Sequence, residues 1–139
     1  MKKRVADILV DTALKADIKD CFMLVGGGAM HLNNALAIQP KMNKFFNHHE
    51  QACAMAAEGY VRLTGKLPLV CVTSGPGGTN ALNGVQGAWS DNLPMIIVSG
   101  HPRLDTTVSA TNGLNLRTRG VQEFNIVDTV KYMTKYSIL

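Results

Sequence analysis

The sequence predicts an α/β fold with three layers, α/β/α, in which a mostly parallel central sheet lies between helices. Apolar strand segments alternate with helical segments along the chain, and the strands carry almost no charge. This is the pattern of a parallel sheet covered on both faces. Three of the strands run into glycine-containing segments, at residues 26–28, 74–78 and 100. Ligands of such sheets bind at the carboxyl ends of the strands, so these segments mark the predicted site.

The individual elements follow from apolar spacing and from turn residues. Apolar residues three and four positions apart predict a first helix over about residues 4–16. Continuous apolar runs predict strands over residues 21–25, 44–47, 67–73 and 94–100. Further helices are predicted over residues 31–38, 50–64 and 79–89, with Gly65 as a left-handed cap of the second. Residues 102–120 are predicted as a long loop, and residues 121–133 as helical or mixed structure.

Composition limits the class of protein. The 139 residues suit one domain, and the charged fraction of 17% lies below the usual value of about 25%. The net charge of +4 comes from scattered basic residues without an aromatic stripe, which argues against a nucleic-acid partner. No apolar run predicts a membrane span, and Asp7 and Asp11 interrupt any signal peptide. The three cysteines show no CxxC spacing and are predicted to be reduced core residues of a cytoplasmic protein.

The segment "NHHEQACAMAAEGYVR" raises three hypotheses for Glu50. His48, His49 and Glu50 could bind a metal, but adjacent side chains point in different directions and rarely converge on one ion. Asn47 and Glu50 have the spacing of a capping box, with Asn47 as the N-cap of the helix. In the third hypothesis, Glu50 is an acid buried for proton chemistry. The last two hypotheses are compatible with each other.

The glycine-containing segments are ambiguous when each is considered alone. "TSGPGGTN" lies between a predicted strand and a helix, where backbone N–H groups could bind an anion or a polar ring. It lacks the lysine of a P-loop and the spacing of a dinucleotide fingerprint. "VGGGAM" could mark only a tight turn with close packing. A Rossmann-like nucleotide-binding module without catalytic activity therefore stays an alternative.

Taken together, four motifs give a more specific result. They are "GGGAMHLNNAL", "HHEQACAMAAEGYVRLTGK", "VCVTSGPGGTNALNGVQGAWSDNLPMIIVSG" and "GVQEFNIVD", and they cover nearly the whole chain. Their combination resembles the thiamine diphosphate enzymes, in particular acetolactate synthase large subunits and their 2-oxo-acid decarboxylase relatives. The resemblance implies a thiamine diphosphate-binding fold and identifies the chain as the pyrimidine-binding domain of a longer polypeptide.

The resemblance also implies roles for individual residues. Glu50 matches the family glutamate that contacts N1′ of the aminopyrimidine and favours the tautomer able to remove the C2 proton. Such a carboxyl group is expected in a pocket shielded from water. His49 is expected to position the glutamate rather than to act in catalysis. The remaining matched positions are cofactor-binding: Gly27, Pro76, Asn80 and Gln122.

The implied cofactors and partners extend beyond these residues. In the family, Mg²⁺ holds the diphosphate through a Gly-Asp-Gly…Asn motif in another domain, and no aspartate here precedes a glycine. Residues 1–139 are therefore expected to be a pyrimidine domain without the diphosphate domain and without its own final helix and strand, inactive alone. The active site of the implied homodimer or homotetramer lies between subunits.

The implied reaction decarboxylates a 2-oxo acid and transfers the carbanion to a second carbonyl. A simple decarboxylase, a split-subunit relative and a non-catalytic interaction domain are the alternatives.

Overall fold

A single parallel sheet forms the centre of the protein in the computed structural model, which describes residues 2–139. The strand order is β2-β1-β3-β4, and every neighbouring pair is parallel. The strands are β1 (Asp20–Met23), β2 (Asn43–Phe46), β3 (Leu69–Val72) and β4 (Ile96–Ser99). The predicted parallel α/β fold is thus confirmed. Strands β1, β3 and β4 are one to three residues shorter than predicted, and β2 has the predicted length but starts one residue earlier.

Six α-helices connect and flank these strands in residues 2–139. They are α1 (Val5–Lys15), α2 (Met30–Ile38), α3 (Glu50–Thr64), α4 (Pro76–Asn80), α5 (Leu82–Ser90) and α6 (Ile126–Val130). The bounds predicted for α3 are confirmed, and Gly65 ends it with a φ of 65°.

The single helix predicted over 79–89 is wrong. Pro76 starts a helical turn earlier, and the amide of Ala81 bonds the carbonyl of Gly78, which tightens the chain between α4 and α5.

Two apolar clusters cover the two faces of the sheet. On one face, residues of α1 and α2 pack against β1 and β3, with Val10, Ile18 and Leu36 almost completely buried. On the other face, Phe22, Val70 and Val72 pack against α3. Strands β1 and β3 are central and buried, which explains why residues 21–23 and 69–72 are apolar. Strands β2 and β4 lie at the edges and are more exposed. This is the predicted three-layer arrangement.

Helices α3 and α5 approach closely because small residues line their contact. A Cβ atom on Gly84 would lie 2.5 Å from the Cβ atom of Ala54 and 2.8 Å from its backbone carbon. These distances are far below a normal van der Waals contact, so only glycine fits at position 84. The close packing fixes the position of α3, whose first residue is Glu50.

Residues 102–120 contain no strand, as predicted, but they are not featureless. Two short 3₁₀ turns, Leu104–Thr106 and Val108–Thr111, lie within them. Residues 121–133 contain only the short helix α6. In the described part of the chain, no helix has the length and apolar character needed to cross a membrane.

Candidate active site

Glu50 lies at the carboxyl-terminal edge of the sheet, four residues after the end of β2. It is the first residue of α3, and only 8% of its surface is exposed. A carboxyl group is rarely so well buried without a specific partner. The location at the carboxyl ends of parallel strands is the one predicted for a ligand site in this class of fold.

The N-cap of α3 is His49, so the predicted capping box is wrong. The Nδ1 atom of His49 accepts a hydrogen bond from the amide of Gln51 at 3.1 Å. Asn47 lies two residues before the cap position, and its amide bonds the carbonyl of Met23, so that amide is not available to the side chain of Glu50 as a capping box requires. Since Nδ1 is the acceptor, the ring proton of neutral His49 lies on Nε2. The expectation that His49 positions the glutamate agrees with this capping contact.

The partner of the Glu50 carboxylate is Asn80, the last residue of α4. The Nδ2 atom of Asn80 donates to Oε2 of Glu50 at 3.0 Å. Within residues 2–139, Oε1 of Glu50 has no hydrogen-bond partner. A Cβ atom on Gly77 would lie 3.4 Å from Oε1, so the glycine leaves this oxygen uncovered. One carboxylate oxygen is therefore fixed, and the other is free for a ligand.

Thr73 joins the glycine segments that surround Glu50. Its Oγ1 atom accepts from the amide of Gly28 at 3.1 Å. A Cβ atom on Gly26 would lie 2.5 Å from the Cβ of Thr73, and one on Gly77 would lie 2.7 Å from its Cγ2. Sequence reasoning did not single out Thr73; its place directly after a buried strand was the available signal.

Gly27 lies on a segment held from both sides, yet it is itself uncovered. The Nδ2 atom of Asn33 donates to the carbonyl of Gly26 at 3.1 Å, while Thr73 holds Gly28. A Cβ atom on Gly27 would meet no atom within 4 Å. The backbone of Gly27 is therefore rigidly placed and open to a ligand. Asn33 is a further positioning residue that sequence reasoning missed.

Pro76 and Gln122 form another part of the rim. Pro76 is exposed at the first position of α4. Gln122 has a φ of 54°, unusual for a residue with a side chain, and its backbone carbonyl lies so close to Gly75 that a Cβ atom there would overlap it. Gly75 has a φ of 58°. The structure thus brings Gln122 next to the segment that carries Pro76 and Asn80, although Gln122 follows Asn80 by 42 positions in the chain.

The three cysteines are free and buried, as predicted. Burial raises the pKa of the Cys21 thiol, and it raises the pKa of Cys71 to about 12. Burial also raises the pKa of Cys53, and the nearby charge of Glu50 adds to that increase. These thiols are packing residues rather than nucleophiles, because a reactive cysteine needs a lowered pKa.

Metal binding finds no support at Glu50. Residues 2–139 contain no group of three or more His, Cys, Asp or Glu side chains placed to hold a metal ion. Surface depressions between α1 and α2, and between α2 and β2, are lined by residues other than those predicted for the site. Cavity shape alone would therefore not have located Glu50.

The chain is an α/β domain with a parallel sheet, and its buried glutamate marks a candidate ligand site at the strand ends. Residues 3–129 match the family described as thiamine pyrophosphate enzyme, N-terminal TPP binding domain. The chain belongs to this family. It is also related to acetolactate synthase large subunits, which confirms the resemblance in its motifs.

The relatives define the extent of this relationship. Acetolactate synthase 1, chloroplastic, of Zea mays is 33% identical over 135 residues, which are 96% of this chain and 20% of the relative. The acetolactate synthase large subunit of Buchnera aphidicola subsp. Schizaphis graminum is 37% identical over 95 residues, 68% of this chain and 17% of the relative. The chain thus spans about a fifth of the length of these relatives.

A solved structure supports the fold independently. A protein from Mycobacterium smegmatis, assigned to the thiamin diphosphate-dependent enzymes, superposes with a TM-score of 0.82 at 20% identity. The superposition covers 99% of this chain and 25% of that protein.

Proposed function

We propose that this chain binds the aminopyrimidine ring of thiamine diphosphate and that Glu50 is its catalytic acid–base residue. The observation that carries the proposal is the state of the Glu50 carboxyl group. It is buried, one oxygen is held by Asn80, and Oε1 is left without a partner in the described residues. A carboxyl group arranged in this way can exchange a hydrogen bond or a proton with a ring nitrogen at a fixed position.

The residues present fit a flat heteroaromatic ring. Gly77 leaves room beside Oε1 of Glu50. The backbone of Gly27 is also uncovered, and it belongs to the glycine segment that Thr73 holds on the other strand end. Pro76 and Gln122 are exposed at the rim, where they can contact the ring from outside. Asn80 orients the carboxyl group, and His49 fixes the start of the helix that carries it. Gly27, Pro76, Asn80 and Gln122 are accordingly proposed as cofactor-binding residues.

When bound, thiamine diphosphate supplies a carbon acid that can attack and decarboxylate 2-oxo acids. The contribution of this chain is a proton relay at Oε1 of Glu50. Glu50 as a whole is mostly buried, and a bound ring beside Oε1 would replace the remaining solvent contact of that oxygen. The rigid packing of α3 against α5 holds the oxygen in place.

The whole enzyme is proposed to be an acetolactate synthase-like transferase or a decarboxylase acting on 2-oxo acids. The diphosphate and its Mg²⁺ are proposed to bind to a separate domain, with the active site between subunits of a homo-oligomer. Support comes from the relationship to acetolactate synthases.

The test is Glu50→Gln in the enzyme that contains this chain. Removing the ionisable oxygen is expected to slow hydrogen–deuterium exchange at C2 of bound thiamine diphosphate by about 10²–10⁴-fold. NMR measures the exchange, and circular dichroism checks that the fold is retained.

Glu58→Gln is the matched control, because Glu58 lies two turns along the same helix and pairs with Arg62 at the surface. Its exchange rate is expected to equal that of the unmodified enzyme. Equal exchange rates in both variants would refute the role of Glu50. Thermal shifts with NAD or ATP, but not with thiamine diphosphate, would support a nucleotide-binding module instead.

A further inference from the structure

The side chain of Glu123 holds together distant parts of the loop between β4 and α6. Its Oε1 atom accepts from the amide of Val108 at 2.7 Å. Its Oε2 atom accepts from the amides of Arg119 and Gly120, at 3.0 and 2.9 Å. One carboxylate thus fixes the start of a 3₁₀ turn and, 11 residues later along the chain, the turn that leads to Gln122.

The contacts made by Glu123 require its ionised form. All three donors are backbone N–H groups, so a protonated carboxyl group would lose acceptor capacity and place a hydrogen near a donor. These hydrogen bonds lower the pKa of Glu123, and the charge of His101 lowers it further. The guanidinium group of Arg119 is engaged elsewhere, with the carbonyl of Asp105.

The neighbouring residue connects this network to the candidate site. Gln122 adopts a left-handed backbone conformation and its carbonyl lies directly against Gly75. Such a conformation persists only where the surrounding structure fixes it. The amide of Glu123 bonds the carbonyl of Gly120, so side chain and backbone of Glu123 together fix the turn that contains Gln122.

We propose that Glu123 is a positioning residue that clamps the loop of residues 102–120 and thereby presses Gln122 against Gly75 at the rim of the site. Its consequence for ligand binding rests on the proposed function. Loss of the clamp would free Gln122 and the backbone of Gly75, while Glu50 and Asn80 would keep their contact at the other end of α4.

Glu123→Gln tests the clamp in this chain. The side-chain amide of glutamine is similar in size to the carboxylate of glutamate, but one of its two acceptor oxygens is replaced by an NH₂ donor. In either orientation, that donor faces at least one backbone N–H group. Hydrogen exchange at the amides of Val108, Arg119 and Gly120 is expected to rise about tenfold, the size expected for losing a hydrogen bond to a charged group. Asp105→Asn is the control, since Asp105 lies in the same loop and its carboxylate pairs with Arg103 at the surface. Exchange within twofold of the unmodified chain in both variants would overturn the proposal.

The unmodified chain provides a measurement that does not depend on a variant. The amide proton shifts of Val108, Arg119 and Gly120 are expected to titrate together, at a pH below the usual glutamate range. The common midpoint is a signature of one shared carboxylate, which a merely structural neighbour would not produce. Three separate midpoints, or none, would refute the clamp even if Glu123→Gln failed to fold.

A double-mutant comparison tests the action through Gln122. Glu123→Gln is expected to weaken thiamine diphosphate binding in the normal background but to have little further effect when Gln122 is alanine. Additive effects would show that Glu123 does not act through Gln122. The binding comparison uses the enzyme that contains this chain. Failure of the unmodified enzyme to bind thiamine diphosphate would count against the proposed function, and the exchange and titration data would still decide whether the clamp exists.

Discussion

Asn80 donates a hydrogen bond from Nδ2 to Oε2 of Glu50, and this contact ties the end of α4 to the start of α3. The two residues come from different glycine-flanked segments at the same edge of the sheet. The contact orients the carboxyl group without covering Oε1. It therefore separates the oxygen that anchors Glu50 from the oxygen that is available to a ligand.

Replacing Asn80 is expected to destabilise the fold in a way that depends on the new side chain. Asn80→Ala removes the hydrogen bond and should lower the free energy of unfolding by about 1 kcal/mol. Asn80→Asp places a second carboxylate beside Glu50, so the loss of unfolding free energy at pH 7 should be larger, and added salt should reduce that loss by screening the repulsion. Urea unfolding at pH 7 with and without added salt measures the difference. An Asn80→Asp variant as stable as the original at pH 7 would contradict the contact.

The cap of α3 gives a second prediction. His49→Ala removes the acceptor for the Gln51 amide and should lower the free energy of unfolding by about 1 kcal/mol. His49→Asn supplies another side-chain acceptor and should recover most of that loss. Thermal unfolding of the three proteins provides the comparison, and an asparagine variant no better than alanine would argue against capping as the role of His49.

The close contact between α3 and α5 predicts opposite effects for alanine at Gly84, which lies in the contact, and at Gly59, which has free space beside it. In Gly84→Ala, the new Cβ atom would overlap Ala54, and the free energy of unfolding should fall by about 1–3 kcal/mol. Gly59 lies inside helix α3, and a Cβ atom added there would meet no atom within 4 Å. Gly59→Ala should therefore raise the free energy of unfolding by about 0.5–1 kcal/mol, because alanine favours the helix. Denaturant unfolding measures both. Equal effects of the two substitutions would be inconsistent with the close packing at Gly84.

The buried thiols predict how stability depends on alkaline pH. The folded-state pKa values of Cys21 and Cys71 are raised above their ordinary value of 9.0. The stabilising contribution of the protonated thiols is therefore complete below about pH 9 and is lost as the pH rises toward 12, because the unfolded chain releases those protons first. The free energy of unfolding should fall between pH 8 and pH 10.

Substituting both cysteines with alanine provides the control for this pH effect. The variant should be less stable at pH 8, because atoms are removed from the core, but its free energy of unfolding should decline less steeply with pH. An identical decline in both proteins would assign the alkaline effect to other groups.

The main elements could be predicted because their signals are local. Helix α3 combines a periodic apolar face with Gly65, whose left-handed conformation ends the helix. The buried strand β3 is apolar at every position. The cap was predicted wrongly because Asn47 has the right residue type and spacing, but its amide is already committed to the sheet through Met23. That competing contact depends on strand pairing, which spacing within one segment does not reveal.

The contacts around the site were less predictable than its position. The resemblance pointed to Glu50 and Asn80, and the structure places them in hydrogen-bond contact. The roles of Thr73 and Glu123 depend on contacts between residues 15 to 45 positions apart. Serine, threonine and glutamate in loops are common, so their residue type alone gave no signal. Such contacts follow from the tertiary arrangement of the strand ends.

The uncovered backbone of Gly27 has a consequence for how this protein tolerates mutation. In a saturation library, substitutions at Gly26, Gly28 and Gly77 should reduce cellular abundance, since each new side chain would collide with Thr73 or Ser74. Variants at Gly27 should accumulate normally, because nothing lies within 4 Å of the added carbon. If a ligand occupies that space, selection for activity would remove the same variants, and position 27 would stand out as a site where abundance and activity scores diverge.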